Sequence, residues 1–427
     1  MIDLIEIAKS LENCPCGQEH RFDVKAVEIF SGATEKLGEI LVREGFPKEL
    51  AVVADKNTLS ACDGILSVLE KSGLEISLTL FEDLRVSDEA AAERVKEDIV
   101  KNSSKAVLSI GTGSLNDICR WNAAKMDLPF AIFATAPSMD GFASGVAPIT
   151  VNGFKRTYPA KAPDLIAADT RVLAASPAEL KAAGLGDLLG KYTAHADWII
   201  SSALTGEYYC EKVASLTLDS VSRAASLAMS GQADSEEYAG ALMEALVISG
   251  LAMQLCGNSR PASGAEHHLA HFWEMQYELA GLPPVFHGKK VGVAAGIVAD
   301  IYRGLGQYPD YSEHRKPFDE ESVSAAYGVL WKEAVQENFP NPLDEVPENA
   351  LAKNEAFVRK VLSSLPSGDE IRKLISASGG AATCEECGIS EELKLAAVKF
   401  GKYVRRRLTV MKFTDIISVE GGVEQWL

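Results

Sequence analysis

A chain of 427 residues is too long for one compact core, which predicts two domains. Its 47% apolar and 24% charged residues describe an ordinary globular composition. The net charge of −18 argues against nucleic acid and anionic membrane surfaces as partners, so any anionic substrate must be held by a local cluster of donors.

The N-terminal run Met1-Ile-Asp-Leu-Ile-Glu-Ile-Ala-Lys9 shows no basic leader and no cleavage-site pattern. A cytoplasmic protein with its eight cysteines reduced is therefore expected. Cys14-Pro-Cys16-Gly with His20, and Cys384-Glu-Glu-Cys387, each look like half of a zinc pattern. Neither has its second half at the usual spacing, and both are read as plain thiols. Strands are expected at 24–30, 50–55, 76–82, 105–110 and 130–135. A helix tail is expected at 39–44, and an amphipathic helix at 88–101 with Val95, Ile99 and Val100 toward the core. This alternation means a parallel sheet covered by helices. At 146–158 the rhythm breaks, and Asn152-Gly153 between two β-like runs reads as a tight hairpin turn. Beyond Asp169 long helix-periodic segments take over. An α/β domain over 1–167 and an all-helical domain over 168–427 are expected. The most apolar long run, 239–256, carries Glu244 and Gln254 and reads as a buried helix, not a membrane span.

Two stretches carry chemistry. The first is Gly111-Thr-Gly113-Ser114-Leu115-Asn116-Asp117, between a strand and a helix. Backbone N–H groups and the helix dipole at such a turn can face a phosphate. Asn116 replaces the third glycine of a dinucleotide fingerprint, and no P-loop Gly-Lys-Ser/Thr follows, so a plain glycine turn is the alternative. The next strand ends in Thr135-Ala136-Pro137-Ser138-Met139-Asp140-Gly-Phe-Ala-Ser144. Ligands of open α/β sheets bind at the carboxyl ends of strands, so the two turns describe one crevice. Asp55 ends a third strand, where it can take a ribose hydroxyl or cap a helix. The second stretch holds His267, His268 and His271, with His287 beyond a Gly-Leu-Pro-Pro loop. Spacing of four puts His267 and His271 on one helix face, and a helix pair can bring in His287. Three such imidazoles suit a divalent metal, or they are ordinary polar and core histidines.

Val53-Ala-Asp55, the Gly111–Asp117 turn, the Thr135–Ser144 block, Gly186-Asp187 and the histidine blocks together resemble the glycerol-1-phosphate dehydrogenases. These sit among the metal-dependent polyol dehydrogenases, iron-containing alcohol dehydrogenases and dehydroquinate synthases. Cys-Pro-Cys-Gly with His20 is also similar to the bacterial members, and the resemblance is strongest over 50–305. It implies a dehydroquinate synthase-like fold: an α/β NAD(P)-binding domain with one β-hairpin, an all-α metal and substrate domain, and an active site in the cleft between them. Asp55 would bind the adenosine end of NAD or NADP. Gly113, Ser114, Leu115, Asn116 and Asp117 would hold the pyrophosphate. Thr135, Ala136, Pro137, Ser138 and Ser144 would line the nicotinamide. Asp140 and His271 would act on substrate, and Asp187, His267 and His287 would bind one zinc, nickel or iron ion. His268 is then a bystander. Met139 stands where family members often carry a polar residue such as His, which bears on substrate preference.

The implied reaction is reversible hydride transfer between dihydroxyacetone phosphate and sn-glycerol 1-phosphate, in a homo-oligomer. Lys161, Arg260 and Lys289 are candidates for holding the substrate phosphate. The rivals are a glycerol or polyol dehydrogenase, a dehydroquinate synthase-like lyase and a non-catalytic nucleotide-binding paralogue. The lyase family usually has Glu where this chain has Asp187. A silent copy has no chemical reason to keep Asp187, His267 and His287 together.

Overall fold

A computed structural model describes residues 2–151 and 154–427. Packing gathers them into two compact units, one of residues up to 184 with Asp219–Gly257, the other of Leu185–Leu218 with Asn258–Leu427.

The first unit is built on a six-stranded, wholly parallel sheet of order β1-β8-β5-β4-β2-β3. Its strands are β1 (Ala26–Phe30), β2 (Glu49–Asp55), β3 (Glu75–Phe81), β4 (Ala106–Gly111), β5 (Phe130–Ala134) and β8 (Leu165–Asp169). Helices cover a parallel sheet on both faces, so its inner strands read as continuous apolar runs. Leu50 to Ala54 and Phe130 to Ala134 are buried throughout. Among the described residues, β6 (Val146–Val151) pairs antiparallel with β7 (Phe154–Pro159), as the two β-like runs predict. The expected turn at Asn152-Gly153 lies outside the described residues.

Two expectations need correction. Helix Glu89–Lys101, capped by the Asp88 carboxylate on the Ala91 N–H at 2.8 Å, buries Val95 and Ile99 but leaves Val100 62% exposed. Val95 and Ile99 are four apart and share a face; Val100 is one residue, about 100°, further round. The sequence reading also passes over β8, a buried strand between β1 and β5. Its Leu-Ile-Ala-Ala-Asp is short and lacks strong β-formers after Ile166, so local preference says little. Its end, Asp169, accepts the N–H groups of Gly32 and Thr34 and pairs with Arg171 at 2.7 Å. The expected boundary at 167/168 falls inside this strand, and helices follow from Thr170. The apolar helix Glu236–Cys256 is long enough to cross a membrane by length and composition, but 72% of its apolar window is buried in the protein. The second unit is helical, around Phe272, Trp273, Tyr302 and Tyr327.

Candidate functional site

In the first unit the ends of β4 and β5 lie side by side, with Gly111 opposite Ala134 in register and the Thr135 N–H on the Gly111 carbonyl at 3.4 Å. The end of β2 is next to them, Ala54 opposite Ile110. Helix Gly113–Met126 starts at once after β4, and its N-cap, Thr112, gives no side-chain hydrogen bond. Thus the N–H groups of Gly113, Ser114 and Leu115 open the helix without a side-chain cap, which is how a helix end accepts a phosphate. A side chain at Gly111 would lie 2.4 Å from Leu115 Cδ1, so the Leu115 side chain would have to move aside for it.

The other residues of the turn have visible local duties. Asn116 is fully buried and accepts the Ser109 hydroxyl at 2.7 Å, and the Ser114 hydroxyl donates to the Arg85 carbonyl. Asp117 lies 3.9 Å from Arg120. Asp55 caps helix Lys56–Ser60 through the Thr58 N–H at 2.8 Å, the second of the two roles its position allows. Thr135 and Ala136 are buried and Ser138 is half-buried, while Asp140 is buried and accepts the Ser249 hydroxyl at 2.9 Å. Met139 turns its sulfur onto the Gly141 N–H.

Arg120 is a residue that sequence reasoning missed. Buried at the inner face of the turn helix, it donates to the carbonyls of Gly141, Phe142, Ser144 and Val146 at 2.7–3.2 Å. It thereby pins the loop that carries Asp140 and Ser144. Its only local signal was an arginine three residues after Asp117.

The second unit brings the histidines together. Asp187 lies on helix Ala178–Thr205, His267 and His271 on Ala265–Leu279, and His287 opens His287–Gln307. A side chain at Gly186 would sit 2.5 Å from the Gly288 carbonyl, and one at Gly292 would sit 2.7 Å from the Gly186 Cα. These glycines let the first and third helices touch backbone to backbone, which sets Asp187 against His287. Gly264 does the same for the second helix, where a Cβ would lie 2.7 Å from the Ala194 Cα. The three imidazole centroids then lie 5.2–6.1 Å apart.

Ligand atoms of Asp187, His267 and His287 all lie within 4.8 Å of one another. His271, Glu274 and His287 form a second such group, sharing His287. The first is the better metal set, because its supports suit one. Burial alone would raise Asp187, but Lys191 at 3.0 Å and the contact with His267 outweigh it and hold the carboxylate well below its usual range. Burial pushes His287 down to about 3, so its imidazole is neutral and keeps a lone pair. His267 Nδ1 meets Glu266 Oε1 at 2.7 Å, and its Nε2 faces Asp187 Oδ1 at 3.6 Å. Burial lowers His267, yet the bonds to Asp187 and Glu266 prevail and raise it. The Glu266 contact favours a proton on Nδ1 and turns Nε2 toward Asp187. In that tautomer Nδ1–H stays on Glu266 and the Nε2 lone pair is free for an ion held with Asp187 and His287.

Glu266 is itself fixed by the Gly264 N–H at 2.6 Å and the Thr193 hydroxyl at 2.5 Å. Glu266 and Lys191 were both overlooked. The i,i+4 spacing of Lys191 from Asp187 and the position of Glu266 beside His267 were the available signals. His271 Nδ1 meets Glu274 Oε2 at 3.1 Å, and its burial lowers it against that pull. His268 is fully buried, and neither ring nitrogen has a hydrogen-bond partner among the described residues. Of the phosphate candidates, Arg260 is committed to Glu207 at 2.5 Å and to the Leu408 carbonyl, and Lys161 to Asp164 at 3.4 Å and the Leu128 carbonyl. Lys289 stands in the first turn after His287.

Known proteins fit this frame. Residues 28–177 match the iron-containing alcohol dehydrogenase family. A glycerol-1-phosphate dehydrogenase [NAD(P)+] of Geobacillus stearothermophilus is 33% identical over 98% of this chain and 99% of its own. One from Bacillus velezensis is 33% identical over 90% of each chain. The NADH-dependent butanol dehydrogenase A of Thermotoga maritima shares the fold, with TM-score 0.61 at 16% identity over 95% of this chain and 96% of that one. On 33% identity over most or nearly all of these relatives' length, the chain belongs to the glycerol-1-phosphate dehydrogenase family of the iron-containing alcohol dehydrogenase group.

Proposed function

We propose that this protein is an NAD(P)-linked, metal-dependent sn-glycerol-1-phosphate dehydrogenase, interconverting dihydroxyacetone phosphate and sn-glycerol 1-phosphate. The observation that carries it is the donor set of buried Asp187 and His267 with half-buried His287, with Glu266 behind His267. The substrate follows from the full-length relatives of that name. The α/β part takes the dinucleotide, and the helical part that carries Asp187, His267 and His287 takes the metal and the phosphorylated three-carbon substrate. We take the enzyme to be a cytoplasmic homo-oligomer.

One carboxylate and two imidazoles leave a coordination position open and suit zinc, nickel or iron. When bound, the metal supplies a Lewis acid for the substrate oxygen, and the nicotinamide supplies or takes the hydride. The chain's part is to hold and orient. Glu266 keeps His267 in the tautomer that presents Nε2. Lys191 balances the Asp187 charge in a dry site. His271, with Nδ1 turned to Glu274, presents Nε2 to accept a proton from the substrate hydroxyl during oxidation and to return it during reduction. Asp140 contacts the substrate hydroxyls, held in place by Ser249. Asp55 lies at the adenosine end. The N–H groups of Gly113, Ser114 and Leu115, with Asn116 and Asp117 holding the turn, bind the pyrophosphate. Thr135, Ala136, Pro137, Ser138 and Ser144 line the nicotinamide, on the loop that Arg120 pins.

The test is to load purified protein with zinc or nickel and follow NADH and NADPH oxidation with dihydroxyacetone phosphate, dihydroxyacetone and a short aldehyde. Rapid oxidation with the phosphorylated ketone, giving sn-glycerol 1-phosphate, is expected. Activity confined to the unphosphorylated ketone overturns the assignment in favour of a polyol dehydrogenase.

A further inference from the structure

Residues 12–25, between helix Leu4–Leu11 and β1, contain neither helix nor strand. They hold Cys14-Pro-Cys16-Gly17 and His20, a half-pattern that spacing alone leaves as two thiols and a histidine. The structure folds it into a cup. The Gly17 N–H reaches back to the Cys14 carbonyl at 3.1 Å, closing a four-residue turn, and Gly17 takes φ +77° to do so. Pro15 restricts the backbone between the two cysteines. The turn puts both sulfurs on the side that His20 faces. Cys16 Sγ is 3.2 Å from His20 Nε2, and the ligand atoms of Cys14, Cys16 and His20 all lie within 4.8 Å of one another.

The histidine is oriented from behind. Its Nδ1 lies 2.8 Å from the Leu255 carbonyl, in the last turn of helix Glu236–Cys256. A carbonyl only accepts, so Nδ1 carries the proton and the neutral ring has its lone pair on Nε2, facing Cys16. This is the outer hydrogen bond that metal-bound histidines use to fix their tautomer. A Cys–His hydrogen bond needs one thiol; a second thiol on the same cup adds a like charge on ionisation, which a cation relieves.

We propose that Cys14, Cys16 and His20 bind a structural zinc ion, separate from the Asp187 donor set. Two thiolates and one imidazole are a borderline-soft set, and a further donor completes a tetrahedron around zinc. Binding releases the two thiol protons and makes no other bond changes. The ion fastens the 12–25 segment to the end of helix Glu236–Cys256, where the Asp23 N–H also holds Gln254 Oε1 at 2.7 Å. Its role is to hold this segment in place, and it takes no part in hydride transfer.

Cobalt(II) tests this directly on the full chain stripped with chelator. Thiolate ligands give an intense near-ultraviolet charge-transfer absorption that oxygen and imidazole donors at Asp187 do not. The absorption is expected to saturate by two equivalents, the Asp187 set taking the other ion, to vanish in Cys16→Ser, and to persist in Asp187→Asn and in Cys384→Ser/Cys387→Ser. No thiolate band, or a band that survives Cys16→Ser, overturns the proposal. Should Cys16→Ser fail to fold, the unmodified chain decides. Zinc is expected to slow alkylation of Cys14 and Cys16 at least tenfold, as mapped on peptides. Equal rates with and without zinc overturn it.

Discussion

Glu266 decides which nitrogen of His267 a metal can use. Its Oε1 holds Nδ1 at 2.7 Å and is locked by Gly264 and Thr193, so the imidazole cannot flip without breaking a buried network. Glu266→Gln keeps the shape and loses the charge. It should weaken metal binding about 10- to 100-fold, measured by competition with a chromophoric chelator, and unchanged affinity would remove Glu266 from the site. Asp187 needs more care, because Lys191 is buried against it. Asp187→Ala strands that ammonium at a cost of about 3–5 kcal/mol, so lost activity could mean lost fold. Asp187→Asn leaves an oxygen for Lys191 and is the sounder probe: metal content and activity should fall together while the circular dichroism spectrum holds. Full metal content in that variant would overturn the ligand assignment. Spacing alone was a weak signal for either partner, because a carboxylate in a first helical turn looks like a cap and a lysine looks like solvated surface.

The helices meet at glycines, and this explains how the site is assembled. Gly186 and Gly292 allow a backbone contact that no side chain would permit. Gly186→Ala puts a methyl 2.5 Å from the Gly288 carbonyl, an atom that cannot swing aside. Overpacking of this kind costs about 1–3 kcal/mol, and it pushes Asp187 away from His287. Thermal unfolding should fall and metal affinity drop with it. A lowered melting temperature with unchanged affinity would show that the contact serves the fold alone. At this scale much of the architecture was readable: the alternation of β2 to β5 with helices, the glycine turn after β4, and the histidine pair at spacing four all lie in local pattern. What was not readable depends on the tertiary neighbours. β8 is a strand because β1 and β5 flank it. The cup at Cys14 was hidden for the same reason, since His20 is oriented by Leu255, 235 residues away.

Across the whole molecule, 60 acidic residues face 42 lysines and arginines. A chain so charged can bury carboxylates only where donors meet them, and in the first unit Asp164 and Asp169 show how. Burial works against the Asp169 charge, but Arg171 and the Thr34 and Gly32 N–H groups outweigh it and hold its pKa far below 3.8. Asp164 is likewise lowered, with Lys25 and the Phe130 N–H opposing burial. A carboxyl whose pKa is lower in the folded chain binds protons less readily than in the unfolded one. Its stabilisation is therefore present above about 3.8, the ordinary value, and is lost as the pH falls below it toward the folded value. Asp169→Asn removes this contribution at every pH. Near neutrality the variant should be less stable by about 2–3 kcal/mol, as expected for hydrogen bonds to a charged group, read as a lower urea midpoint. Below pH 3.8 the wild type loses the same stabilisation, so the two midpoints should converge. A gap that stays constant from pH 7 to the acid limit would mean that Asp169 acts by shape, and that the charge on β8's end does not secure the sheet.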